Sequence, residues 1–120
     1  MNRFLFLTCF IALFMCGATL SAQTWDIGSP NAEDVIATIS GTSPNYTLTI
    51  NGTGAMKDFT SENDVPWYSI KSNITTLVIN EGVTTIGICA FYSCSGLTGA
   101  LTIPNSVTTI GDDAFYNCSG

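Results

Sequence analysis

Histidine is absent from the 120 residues. That removes Ser-His-Asp and Cys-His catalysis, and with them the commonest metal ligand. Positive charge is nearly absent as well: Lys and Arg number 3 against 9 Asp and Glu. Such a chain repels nucleic acid and anionic membranes, and no basic patch offsets the repulsion. Cysteine is sparse and oddly counted. Of five, Cys9 and Cys16 fall in an apolar leader, which leaves Cys89, Cys94 and Cys118. Three thiols with no CxxC spacing do not make a disulfide framework.

Long apolar runs are absent except at the start. Phe4 to Leu20 is uncharged; Arg3 precedes it and the small Ala22 follows it. Basic, apolar and small-residue regions in that order predict a secretory signal peptide over residues 1–22. The rival reading is a retained membrane anchor, against which Thr8, Gly17 and Thr19 interrupt the run. Cys16 does not sit in a lipoprotein setting, because bulky Phe14 and Met15 come before it. The expected mature part, residues 23–120, is one small domain with nine carboxylates against Lys57 and Lys71. The mean hydropathy of +0.35 is raised by the leader and does not signal a membrane protein.

What the chain does have is a repeat. Residues 73–96 laid over 97–120 need no gap, and thirteen of 24 positions are identical. A period of this length indicates one coil of a leucine-rich or β-type solenoid. "LTIP" alternates Leu101 and Ile103 on one face of a short strand that Pro104 ends. "VTTIG" (107–111) is a second extended piece. "DDAFYNC" (112–118) is expected to form one helical turn, with Asp112 and Asp113 at its positive start. Leu101, Ile103, Val107, Ile110, Ala114, Phe115 and Cys118 should point inward. Their equivalents one coil earlier, Leu77, Ile79, Val83, Ile86, Ala90, Phe91 and Cys94, should stack beneath them.

A degenerate coil precedes these two. "PWYSI" (66–70) falls in 24-residue register with "AFYSC" and "AFYNC", so Trp67 takes the place of Phe91 and Phe115. This coil carries about five extra residues within "GTGAMKDFTSENDV". Further upstream, "DVIATISG" and "YTLTI" alternate on either side of the turn residues "TSPN", which predicts a β-hairpin. An open solenoid end exposes apolar side chains and strand edges, so residues 23–72 are expected to form an amino-terminal cap. Two full coils fall short of the usual three, so the array is expected to continue beyond Gly120. Marginal stability and self-association through the uncovered end near Gly120 follow from the same reasoning.

"LTIPNSVTTIGDDAFYNCSG" resembles the BspA-type leucine-rich repeat of bacterial surface and secreted proteins. "TLTINGTGAMKDF…VPWYSIKSNITTLVINEGVTTIG" is similar to the segment that precedes those repeats. The resemblance covers Asp34 to Gly120. It implies a β-rich, α/β-type leucine-rich-repeat solenoid with 24-residue coils (short parallel strands plus one helical turn each), preceded by a β-hairpin cap. It implies residues 73–96 and 97–120 as two repeats, and a role in binding or adhesion to host matrix proteins, cells or glycans. The family supplies no catalytic residues. "LTGALTIP" has one residue more than the family's usual "LTSVTIP", which predicts a bulge near Gly99.

Candidate sites follow from the register. Tyr68, Tyr92 and Tyr116 form a ladder, read either as an aromatic binding stripe or as rings packed along the turn side with wet hydroxyls. Thr84, Thr85, Thr108 and Thr109, joined by Thr76 and Thr102, form rows that suit ice or glycan binding, or simply an exposed strand face. Cys94 and Cys118 stack one coil apart, either bridged or as small buried apolar groups. Cys89, which matches Asp113 in the next coil, is expected at the surface or half-buried. Asp112–Asp113 and "SENDV" (61–65) lack calcium-loop spacing, and "NGTG" (51–54) lacks the Lys-Ser/Thr of a phosphate loop. Asn45, Asn51, Asn73 and Asn117 head glycosylation sequons.

These observations predict a secreted or cell-surface protein without catalysis, cofactor or metal. Its partners are expected to be host or microbial surface proteins or glycans, with no nucleic acid and no membrane insertion after leader cleavage. Two other classes stand beside that reading: a rigid spacer presenting a further domain, and the non-catalytic part of a secreted enzyme.

Overall fold

The computed structural model describes residues 23–120. The expected signal peptide, 1–22, lies outside the described residues. The chain opens with β1 (Gln23–Asp26) and β2 (Gly28–Ser29). Then comes the hairpin of β3 (Val35–Thr42) and β4 (Asn45–Gly52), paired antiparallel from Val35↔Gly52 to Thr42↔Asn45. Val35, Ala37, Ile39, Leu48 and Ile50 are all fully buried, so the alternation in both strands turns one face of the hairpin into core. The β1 strand adds antiparallel to β3 on the far side, a strand the sequence pattern did not single out.

From β4 onward the chain winds in layers. β5 (Gly54–Met56) follows β4, and β6 (Ile74–Ile79) and β7 (Val83–Ile86) lie over them in parallel pairings. β8 (Thr109–Ile110) then lies parallel on β7. The result is two sheets, β1-β3-β4-β6 and β2-β5-β7-β8. Ile50 pairs with Ile79, 29 residues on, whereas Ile86 pairs with Ile110, 24 on. Trp67 and Phe91 stack although only 24 residues separate them. The surplus of the lowest layer therefore sits between Met56 and Trp67, in the segment holding the short 3₁₀ helix Glu62–Asp64.

The third side of each layer corrects one expectation. Residues 88–93 and 112–117 form successive turns, not a helical turn. Cys89 and Ser93, and their counterparts Asp113 and Asn117, adopt left-handed backbone with φ between 55° and 60°. An α-helix also needs its N–H groups for its own carbonyls. Here the N–H groups of Cys89, Phe91 and Ser93 donate to the carbonyls of Asp112, Ala114 and Tyr116 in the next layer, at 2.7–3.1 Å. Asp112 and Asp113 therefore start no helix. Only the lowest layer is helical on this side, as the 3₁₀ segment Tyr68–Asn73.

Two inward expectations fail in the outermost layer. Leu101 is 36% exposed and Ile110 51%. Ile110 rests on Ile86, but no described residue covers its other flank. Leu101 is open because the expected strand Leu101–Ile103 does not pair with β6 at all. Ile103, Val107, Phe115 and Cys118 are half-buried against the core, and Ala114 is buried. One layer down, Leu77, Ile79, Val83, Ile86, Ala90, Phe91 and Cys94 are all buried.

Candidate functional site

The turn side carries the chemistry the sequence singled out. Inside it runs an aromatic column. Trp67 stacks on Phe91 at 5.8 Å between centroids, and Phe91 on Phe115 at 5.4 Å. Trp25 and Phe59 lean on Trp67 at 6.0 Å each. The Trp67 indole Nε1–H donates to the Ala90 carbonyl at 3.2 Å, which settles the one polar atom of a fully buried ring.

Outside the column stand the tyrosines. Tyr92 and Tyr116 stack at 4.8 Å with their planes 20° apart. Tyr116 is 57% exposed and Tyr92 half-buried. Burial and the neighbouring Tyr116, Glu62 and Asp113 push the Tyr92 phenol up from its ordinary value, so its hydroxyl stays a protonated donor at neutral pH. Tyr68 does not continue the stack. Its ring lies beneath the Lys71 ammonium at 4.5 Å, and Lys71 is tied to Glu62 at 2.6 Å. The structure thus brings together two rungs of the expected ladder and gives the third a cation. The Lys71–Glu62 pair was invisible in the sequence, because its members lie nine positions apart on two different short 3₁₀ helices.

Two of the row threonines, Thr85 and Thr108, use their hydroxyls to hold layers together. Thr85 Oγ1 donates to the Met56 carbonyl at 3.3 Å. The Thr84 carbonyl accepts both the N–H and the Oγ1–H of Thr108, at 2.8 and 3.3 Å. Thr76, Thr102 and Thr109 remain exposed.

Among the described residues three thiols are free: Cys89, Cys94 and Cys118. Cys89, expected at the surface or half-buried, is 9% exposed and belongs to the core cluster. Cys118 Sγ donates to the Phe91 carbonyl at 3.0 Å, the same oxygen that takes the Cys94 N–H at 3.1 Å. Burial, with the Cys118 thiol adding to it, pushes the Cys94 thiol up to about 12. A thiol held so far above neutrality is a poor nucleophile. Among the described residues, no group of three or more Cys, Asp or Glu is placed to hold a metal ion. None of their helices is long and apolar enough to cross a membrane.

Comparison with known proteins bears on residues 67–120, which match the family described as BspA type leucine rich repeat region (6 copies). A crystal structure of a leucine-rich repeat protein from Eubacterium ventriosum is similar over 81% of this chain, with 34% identity and a TM-score of 0.68. The chain spans 24% of that protein's length. No curated protein matches.

Proposed function

We propose, from the membership of residues 67–120 in the BspA-type leucine-rich repeats, that this chain is a non-catalytic binding protein, exported to the cell surface or medium. It acts as an adhesion module of solenoid form, its hairpin capping a stack of 24-residue coils. Its partners are surface proteins or glycans of a host or of other microbes.

The observation that carries this reading is the Tyr92–Tyr116 pair, stacked at 4.8 Å on a surface that repetition extends. Stacking fixes both rings before any partner arrives, so little side-chain entropy is lost on contact. Each ring gives one face to its neighbour. What the surface offers outward is ring edges, hydroxyls and the free face of Tyr116, which suits a protein partner better than a sugar stacked on every ring. A partner is sought with the purified chain immobilised against matrix proteins, mucins and intact cells, beside an unrelated solenoid. Retention above that control supports adhesion. Replacing Tyr68, Tyr92 and Tyr116 with Ser should then abolish retention and leave the circular dichroism unchanged. Retention no better than the control's counts against adhesion.

A further inference from the structure

We propose that the Tyr92–Tyr116 stack and the carboxylates of Asp112 and Asp113 form a seat for lysine and arginine side chains, and that the partner it fits is a basic protein segment. The seat rests on the binding function proposed above and names its partner's chemistry.

The molecule carries its own example one layer down. Among the described residues the cations are Lys57 and Lys71, and each ammonium lies over an aromatic ring, Phe59 at 5.4 Å and Tyr68 at 4.5 Å. Lys71 is also tied to Glu62 at 2.6 Å. The ring face attracts the cation through its quadrupole, and the carboxylate beside it supplies the opposite charge.

The next two layers repeat the ring and leave out the cation. Tyr68 recurs as Tyr92 and Tyr116, but Lys71 recurs as Ser95 and Ser119. The register is structural as well: a Cβ on Gly96 would meet the Ser72 carbonyl, so Ser95 stands over Lys71. Carboxylates are at hand. The Asp113 carbonyl accepts the Tyr116 N–H at 3.2 Å. The Asp112 carbonyl accepts the Cys89 N–H at 3.1 Å, and the Cys89 carbonyl takes the Tyr92 N–H at 3.3 Å. Both acids are exposed, and among the described residues neither is in an ion pair. Burial and Tyr116 push the Tyr92 phenol up, and Glu62 and Asp113 lie close enough to add to that rise. The upper layers thus hold ring and carboxylate with no lysine of their own.

Charge decides between occupants. Over residues 23–120, nine carboxylates stand against two lysines. That balance steers a basic segment in and repels a second copy, a nucleic acid or an acidic glycan.

The test is fluorescence anisotropy of the full chain with lysine–glycine, glutamate–glycine and serine–glycine peptides of equal length. Only the first should bind. Asp112→Asn with Asp113→Asn should weaken it at least about fivefold, and Asn suits the left-handed backbone at position 113. Asp26→Asn with Glu33→Gln removes the same charge from the cap and should weaken it by less than about twofold. Tyr116→Ser should weaken it about threefold and Tyr116→Phe should not, because the ring face holds the cation. Ser95→Lys supplies the missing ammonium and should displace the peptide, more than Ser40→Lys on the hairpin does. No binding of the lysine peptide, equal losses from the two acid pairs, or equal binding of all three peptides overturns the proposal. Retention on cells or matrix proteins that survives the loss of both Asp112 and Asp113 carboxylates also overturns it and leaves adhesion standing. Peptide binding without retention on any surface supports the seat and counts against adhesion.

Discussion

Phe91 and Phe115 lie one above the other at 5.4 Å, and the Phe91 N–H reaches the Ala114 carbonyl beside Phe115 at 2.8 Å. Side chain and backbone thus repeat together, and the column is as much a feature of the ladder as of the rings. Phe91 is sandwiched between Trp67 and Phe115 and is 1% exposed. Phe91→Ala should cost about 3–5 kcal/mol. Phe115→Ala should cost clearly less, because its outer face is half open. Urea denaturation of the two variants gives the order, and equal losses would contradict a stack graded by burial.

Trp67 offers a separate test of the column's polar tie. Trp67→Phe keeps a ring on Phe91 but deletes the donor to the Ala90 carbonyl. The expected loss is about 1–3 kcal/mol, that of an acceptor left unpaired in the core. Trp67→Ala should cost more. A Trp67→Phe variant as stable as the parent would mean that the carbonyl finds another partner.

Gly87 and Gly111 occupy the same place in successive layers, where the chain leaves the second sheet for the turn side. A Cβ on Gly87 would run into the Lys57 carbonyl, and one on Gly111 into the Ile88 N–H. In both cases the obstacle is backbone of the layer below. Gly87→Ala should lower the melting temperature by several degrees, more than Ala at Gly99, where the space is open. Thermal melts of the two variants check this order.

Alkaline pH should unpick the core through Cys94. Its thiol stands near 12 in the folded chain against an ordinary 9.0, so the folded state binds this proton more tightly than the unfolded state does. The stabilisation is complete below pH 9 and is lost as pH rises toward 12, on the order of 4 kcal/mol over the window. Cys118 and Tyr92 shift in the same direction and steepen the fall. Urea midpoints from pH 7 to 11 should be flat and then decline. Cys94→Ala should lower the midpoint at pH 7 but shallow the decline, and an unchanged slope would remove Cys94 as its cause.

The period, the inward positions of the middle layer and the hairpin were legible in the sequence, because each rests on local alternation or on identity at a fixed spacing. The turn side was misread for a physical reason. "DDAFYNC" has acidic residues before apolar ones, as a helix start does, but its carbonyls at Asp112, Ala114 and Tyr116 are claimed by the N–H groups of Cys89, Phe91 and Ser93, 23 residues away. No local pattern reports that competition. The tyrosine ladder was legible as a register and not as a geometry. Tyr68 fits the period, yet Lys71 and Glu62 decide what its ring meets.

By itself the sequence determined that like residues recur every 24 positions, and hence that aromatic would meet aromatic and Thr would meet Thr. Recurrence is a one-dimensional property, and the chain carries it wherever it goes. Only the tertiary structure decided which recurrences are used. Ile86 is buried and Ile110 is not; β6 is paired on one side and open on the other. Burial and hydrogen bonding depend on what lies across the next layer, and a residue's own neighbours in sequence say nothing about that.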